Sequence, residues 1–268
     1  MMAKRPVQAQ FGPNAEAYAT SDIHAKGASL RRLVELVEPQ KSWIVLDVAT
    51  AAGHTAHAFA PLVKLVVASD ITSEMLHVAA RMGREQGIVN EFLTAADAEK
   101  LPFTSQGFDL VTCRLAAHHF PHIAEFMGDV RRVLRLGGIF ALVDNIVPGT
   151  FRGGKLGRLQ EEAGRYVNAF DKLRDPSHER SLSMEEWQRY FYESGFRLIH
   201  QEKKRMALGF NAWTERMRVS GDNVIRLRAM LQQAPRPVLE FMNPRFYVSD
   251  LTFDLTEAIF IAKKELLP

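Results

Sequence analysis

The sequence has almost no cysteine, and this absence narrows the class of protein. Cys113 is the only cysteine among 268 residues, so neither an intramolecular disulfide nor a zinc site built on several cysteines can form. Long apolar runs are also missing, since none approaches the roughly 20 residues that cross a bilayer. The first residues lead into polar sequence without the apolar core of a signal peptide. We therefore expect a cytoplasmic protein without a membrane span.

The chain as a whole also lacks a strong excess of charge of one sign. Its formal net charge is +3, with 34 Lys and Arg against 31 Asp and Glu. Residues 197–247 nevertheless carry ten basic and four acidic side chains, a local +6 that leaves −3 for the rest. These basic residues are not interleaved with aromatic ones in a repeated pattern, which favours solvated surfaces or a small anionic ligand over nucleic acid. RNA binding by this basic half remains an alternative.

Short apolar runs alternate with helical patterns through the middle of the chain, which predicts βαβ units and a parallel sheet. The predicted strands are Ile44–Val48, Leu65–Ser69, Glu91–Ala95, Phe108–Arg114, Gly138–Asp144, Phe196–Met206 and Asp254–Lys263. The predicted helices between the first five of these strands are His54–Ala60, Ser73–Glu85 and Ile123–Leu134. The fold class is therefore α/β, with a doubly wound, mostly parallel sheet of seven strands.

The same pattern divides the chain into three regions. We expect a helical N-terminal lid over residues 1–39 and a ligand-binding core over residues 40–147. Residues 148–268 begin with a Gly- and charge-rich connection that forms part of a lid, and they then complete the sheet around a mainly helical insertion at 209–247.

Acidic residues mark the ends of the first three predicted strands. Asp47 ends the first, Asp70 closes the second and Asp97 follows the third. Ligands of such sheets bind beyond the carboxyl ends of the strands. A carboxylate at Asp47 would be badly placed beside a pyrophosphate, but it suits an ammonium or sulfonium group. Asp70 can accept hydrogen bonds from both hydroxyls of a ribose. The pair predicts a nucleoside that carries a cationic amino-acid tail.

In this order, these segments resemble class I S-adenosylmethionine (SAM)-dependent methyltransferases of the ubiquinone/menaquinone type, the methyltransferase domain 11 family. The resemblance covers residues 40–147 and rests on Asp47–Gly53, Asp70–Met75, Asp97–Phe103, Phe108–Arg114 with His118-His119, and Arg132–Gly138. Outside the core, similarity to the YcgJ-like bacterial subgroup rests on Phe11–Tyr18, Ser21–His24 and Leu173–His178. The resemblance implies a Rossmann-like fold and SAM as cofactor, with S-adenosylhomocysteine (SAH) as product. It also implies methyl transfer to an oxygen, nitrogen or carbon atom of a small-molecule acceptor.

The resemblance also implies which residues hold the cofactor. Asp47 would support the methionine ammonium directly or through water, and Asp70 would receive the ribose. Asp97 and the Ala98 N–H would contact the adenine, which Ile71 and Met75 would sandwich. The full cofactor-binding set is Tyr18, Asp47, Ala49, Thr50, Ala51, Gly53, Asp70, Ile71, Met75, Asp97, Ala98 and Arg114.

The loop departs from the family pattern Asp-x-Gly-x-Gly-x-Gly, because Ala49 and Ala51 replace two glycines and only Gly53 remains. Alanine adopts a positive φ only at a cost, and its methyl group limits how closely a ligand approaches. Ala49 is tolerated if its φ is negative. Ala51 leaves three alternatives: a shifted loop with weaker SAM affinity, a related nucleoside such as SAH, or a non-catalytic protein. The three retained acids favour the first.

Methyl transfer requires mainly alignment and desolvation, and it needs a base only where the acceptor holds its proton. Histidine suits that role because its pKa lies near working pH. The candidates are His118 and His119, which follow the fourth strand, and His24 in the N-terminal segment. The spacing of His118, His119 and His122 matches no familiar metal site, so no metal is expected. The sequence is compatible with a monomer or a homodimer.

Overall fold

The computed structural model describes residues 5–16, 27–248 and 250–266. Its strands are β1 Ile44–Val48, β2 Leu65–Asp70, β3 Glu91–Ala95, β4 Phe108–Arg114, β5 Leu134–Val147, β6 Leu182–Ser183, β7 Phe196–Gly209, β8 Arg245–Phe246 and β9 Leu251–Lys264. The α-helices are α1 Arg5–Phe11, α2 Ala28–Val37, α3 His54–Phe59, α4 Ser73–Glu85, α5 Ile123–Val133, α6 Gly154–Arg174, α7 Met184–Glu193, α8 Phe210–Glu215, α9 Gly221–Gln232 and α10 Arg236–Met242.

Seven strands form the main sheet in the order β3-β2-β1-β4-β5-β9-β7. The pairings from β3 to β5 are all parallel, whereas β9 runs antiparallel to both β5 and β7. The two-residue strands β6 and β8 add to this path at β5 and β9. The predicted doubly wound, mostly parallel sheet of seven strands is therefore confirmed, and helices flank it at both ends of the chain.

The central strands are buried on both faces, which explains why they read as continuous apolar runs. Successive residues of β1 and β4 point to opposite faces, where two separate cores form. Leu46 and Val111 pack against α5 and α7 on one face, and Val45 and Leu110 lie on the face of α2 and α3. Because both faces are covered, ligand access is left to the ends of the strands.

The main departure from expectation is α6, a helix of 21 residues where the sequence predicts a Gly- and charge-rich connection. Its glycines include positions of close packing: a Cβ on Gly164 would lie 2.5 Å from the carbonyl oxygen of Pro148. The helix buries Val167 and Phe170 in a third apolar cluster with the insertion. Within the described ranges, no helix is long and apolar enough to span a membrane.

Candidate active site

A cleft opens at the carboxyl ends of β1, β2, β4 and β5 and encloses about 1660 Å³ between its walls, part of it open to solvent. Helix α1 contributes Val7 and Phe11 to its lining, and α6 and α8 contribute side chains from the C-terminal region. Twelve of the predicted site residues line this cleft: Asp47, Ala49, Thr50, Ala51, Asp70, Ile71, Met75, Asp97, Ala98, Arg114, His118 and His119. Tyr18 and His24 lie outside the described residues.

Asp47 is buried beneath the loop that follows β1. The Thr50 hydroxyl donates to its Oδ2 and the Thr112 hydroxyl to its Oδ1, both at 2.6 Å. Burial raises the pKa of Asp47 to about 6, although these hydroxyls and Arg114 partly offset the effect. Asp47 therefore ties the loop to β4, and each of its oxygens accepts one hydroxyl.

Asp70 joins the ends of two loops. Its Oδ2 accepts the Ala51 N–H and its Oδ1 accepts the Thr72 N–H, each at 2.8 Å. Burial raises the pKa of Asp70, and the backbone donors counteract that effect. Asp70 lines the cleft, and a carboxylate oxygen can accept more than one hydrogen bond.

Both alanines of the loop adopt the left-handed conformation that glycine would take. The φ angles are 54° at Ala49 and 48° at Ala51, so the negative φ under which Ala49 would be tolerated is not found. The reason is the hydrogen bonding of the loop, in which Thr50 N–H donates to Ser69 O and Ala51 N–H to Asp70. Left-handed backbone costs alanine about 1–2 kcal/mol per residue. The loop thus keeps the shape of a glycine-rich loop at a cost in stability.

This geometry predicts that Ala51→Gly stabilises the protein. Relief of the left-handed strain should exceed the roughly 0.5–1 kcal/mol of added chain entropy, for a net gain of about 0.5–1 kcal/mol. Chemical denaturation of the variant measures the gain. Ala52→Gly is the matched control, because Ala52 is buried next to Ala51 without a positive φ, and its replacement should lower stability. A loss of stability in Ala51→Gly would contradict the strain.

Gly53 supports the loop without lining the cleft. It precedes α3 with a φ of 85°, and a Cβ there would lie 2.7 Å from the His57 ring. His57 is itself buried 3.1 Å from the Glu91 carboxylate. Glycine is required at position 53 by backbone conformation and by this contact.

The β3–β4 connection forms another part of the cleft wall. Asp97 Oδ1 accepts the Glu99 N–H at 2.9 Å in a tight turn, and Ala98 lies beside it on the cleft wall. Met75 is 1% exposed and packs in a small core with Val78 and Phe11, so it serves the core as well as the lining. Apolar and acidic groups therefore face each other across this part of the cleft.

His118 forms a buried pair with Asp144, which ends the predicted fifth strand. The His118 Nδ1–H donates to Asp144 Oδ1 at 2.6 Å. Burial opposes the charge on His118, but Asp144 outweighs it and raises the pKa of the imidazole. The bond fixes the tautomer and leaves Nε2 as the basic atom of a residue that lines the cleft.

His119 and His178 complete a group of three neighbouring imidazoles, whose rings are tilted or nearly perpendicular to one another. The centroid of the His118 ring lies 4.3 Å from that of His119 and 5.5 Å from that of His178. Burial and the charge of His118 lower the pKa to about 3 for His119 and to about 2 for His178. These two rings are neutral donors, to Ser177 O and Asn168 Oδ1 respectively. Within the described ranges, no group of three or more His, Cys, Asp or Glu could hold a metal ion.

Arg114 ends β4 in the middle of the cleft. Its Nε donates to Thr55 Oγ1 at 3.1 Å, and burial lowers its pKa while Glu257 and Asp47 raise it. The cleft thus contains a buried cation between two acids. The positive charge of Arg114 and the negative charges of the two acids suit a ligand that carries charges of both signs.

Several cleft residues were not predicted as site residues: Asn145, Asp171, Arg174, Arg216 and Glu257. Asp144, which pairs with the cleft residue His118, was not predicted either. Asp144 carried the same signal as Asp47 and Asp70, an acid at the end of an apolar strand. Glu257 is an acid among the apolar residues of β9, which is also a usable signal. Asp171 and Arg174 of α6 gave no signal, because their position depends on packing between distant segments.

The sheet order and the acids at its rim define a class I, Rossmann-like α/β protein with a ligand cleft at the carboxyl ends of its strands. A methyltransferase domain model matches residues 46–142. YcgJ of Bacillus subtilis, described as an uncharacterised methyltransferase, is 35% identical over 206 residues, which are 77% of this chain and 78% of that protein. The chain belongs to this methyltransferase family.

Solved structures agree with this assignment. The crystal structure of BH2331 from Bacillus halodurans matches with a TM-score of 0.82 and 32% identity, over 90% of this chain and all of that one. The fold is also shared, at a TM-score of 0.56 and 17% identity, by a phosphoethanolamine N-methyltransferase of Haemonchus contortus that was solved with SAM. That match covers 89% of this chain and 52% of the Haemonchus chain.

Proposed function

We propose that the protein transfers the methyl group of SAM to a small-molecule acceptor and releases SAH. The observation that carries the proposal is the convergence of the three rim acids and the His118–Asp144 pair on one cleft. The acids suit a nucleoside with a cationic tail, and the pair suits an acceptor that must lose a proton. We also propose the division into a binding core at 40–147 and flanking regions, 1–39 and 148–268, that close it.

The residues present fit the cofactor. Asp70 has acceptor capacity for two ribose hydroxyls, while Ile71 and Met75 offer apolar surface for the adenine. Asp97 and Ala98 line the cleft, and we expect them to contact the adenine edge. Asp47 holds Thr50 and Thr112, and its charge favours a positive group nearby. When bound, SAM supplies an electrophilic methyl group on a sulfonium.

The acceptor half of the cleft combines a base with apolar and cationic walls. His118 would take the acceptor's proton on Nε2, and Asp144 would stabilise the resulting imidazolium. Trp213, Leu208 and Leu255 provide apolar surface, and Arg174 stacks on the Trp213 ring at 4.4 Å. These walls favour a small acceptor with an apolar body and an acidic group.

Calorimetric titration of the purified protein with SAM, SAH and NAD tests the cofactor assignment. We expect one-to-one binding of SAM and SAH in the micromolar range and no heat with NAD, because Asp47 opposes a pyrophosphate. SAM bound in this way justifies an acceptor screen that measures SAH release. Absence of SAM and SAH binding would refute the proposal, and tight binding without turnover by any acceptor would support the non-catalytic alternative.

A further inference from the structure

Glu257 is a buried carboxylate with no hydrogen-bond donor. It lies on β9, lines the cleft and is only 1% exposed. Neither of its oxygens receives a hydrogen bond from any described residue. The Ser29 hydroxyl lowers the pKa of Glu257, but it lies outside hydrogen-bond geometry with both carboxylate oxygens. Buried polar groups are nearly always paired, so an acid of this kind points to a partner that is not part of the described chain.

A second acceptor without a donor lies next to Glu257. Asn145 is its Cα partner across the β5–β9 ladder and also lines the cleft. The Oδ1 atom of Asn145 is buried and has no hydrogen-bond partner among the described residues. Two neighbouring acceptors that lack donors match a ligand group with several N–H donors, and an ammonium group has three.

A cation faces the same part of the cleft. Burial raises the pKa of Glu257, and the Arg114 guanidinium lowers it in turn, so the two charges interact. Both residues line the cleft. A carboxylate and a guanidinium held near each other are complementary to a zwitterion, in which an ammonium and a carboxylate share one carbon.

Asp47 is a weaker candidate for the ammonium than the sequence indicates. Each of its oxygens already accepts a hydroxyl at 2.6 Å, whereas both oxygens of Glu257 lack a donor. We infer that Glu257, with Asn145 beside it, accepts the α-ammonium of the cofactor's methionyl end, and that Arg114 faces its α-carboxylate. The inference rests on the proposed function, because it requires SAM and SAH as ligands. Asp47 is then a positioning residue for the loop.

The test compares ligands that differ only at the methionyl end. Calorimetry is carried out with SAH, with the SAH analogue whose amino group is replaced by hydrogen, and with 5′-methylthioadenosine, which lacks the whole amino acid. The proteins are wild type, Glu257→Gln and the control Glu202→Gln, an acid of β7 that pairs with Arg32 away from the cleft. Loss of one charge-assisted contact corresponds to about a tenfold or larger change in Kd.

We expect Glu257→Gln to weaken SAH binding at least about tenfold and to leave both truncated ligands unchanged, while Glu202→Gln affects none of them. Unchanged SAH affinity in Glu257→Gln would overturn the inference, as would an equal loss for all three ligands. The wild type supplies a test independent of folding: equal affinity for SAH and its desamino analogue would also overturn it. Failure of wild type to bind SAM or SAH would instead refute the proposed function.

Discussion

Asp70→Asn is expected to weaken SAM binding by about a hundredfold or more. The carboxylate would supply both acceptors for the ribose hydroxyls, and charged hydrogen bonds contribute about 1.5–3 kcal/mol each. An asparagine also turns an NH₂ group toward either the Ala51 or the Thr72 N–H, which Asp70 now accepts at 2.8 Å. The loss of affinity therefore combines a missing ribose contact with a displaced loop. Calorimetric titration with SAM measures it.

Asp109→Asn is the matched control for Asp70→Asn. Asp109 is another buried acid, at the amino end of β4, where it accepts the Ile44 N–H at 2.8 Å and pairs with Arg135. Its replacement should lower the unfolding free energy by about 1–3 kcal/mol without changing the Kd for SAM. If Asp70→Asn bound SAM as tightly as Asp109→Asn does, the ribose role of Asp70 would be wrong.

The sequence allowed the rim of the sheet to be predicted because its signals are local. A strand buried on both faces is a short apolar run, and an acid at its end stands out because a buried carboxylate needs partners. This is why Asp47 and Asp70 could be assigned to the cleft before the structure was known, and both line it. Asp144 carries the same local signal, and its partner His118 had been singled out on separate grounds.

The features of the site and fold that the sequence did not predict depend on contacts between segments that are far apart in the chain. The loop hydrogen bonds to Ser69 and Asp70 force Ala51 to a positive φ, which its own preference would oppose. Glu257 becomes a neighbour of Asn145 only through the antiparallel pairing of β9 with β5. Helix α6 was predicted as a connection because of its glycines, whereas tertiary packing uses Gly157 and Gly164 for close approach.

Asp144→Asn is expected to reduce methyl transfer by about two to four orders of magnitude for an acceptor that must lose a proton. Asp144 fixes the His118 tautomer through the 2.6 Å bond from Nδ1 and would stabilise the imidazolium formed during transfer. The variant should bind SAM as the wild type does, since neither residue belongs to the proposed cofactor half. Steady-state kinetics with an acceptor identified by the screen, together with calorimetry, separate the two effects.

The pH dependence follows from the direction of the His118 pKa shift. A base must be neutral, so wild-type activity should rise with pH as His118 deprotonates at its raised pKa. Removal of the Asp144 charge lowers that pKa, and the acidic limb of the rate profile should move to lower pH while the maximum falls. His119→Gln should leave the limb in place, because burial and the charge of His118 already lower the pKa of His119 to about 3.

Stability supplies an independent check that needs no acceptor. The pKa of His118 is higher in the folded protein than in the unfolded chain, where it is about 6.5. The charged pair with Asp144 therefore contributes its full stability below that unfolded pKa. This stability is lost as pH rises through the folded pKa. Asp144→Asn should therefore destabilise the protein more at pH 5 than at pH 9. An equal loss at both pH values would show that His118 is not charged in the folded protein, and the base assignment would then lack its electrostatic support.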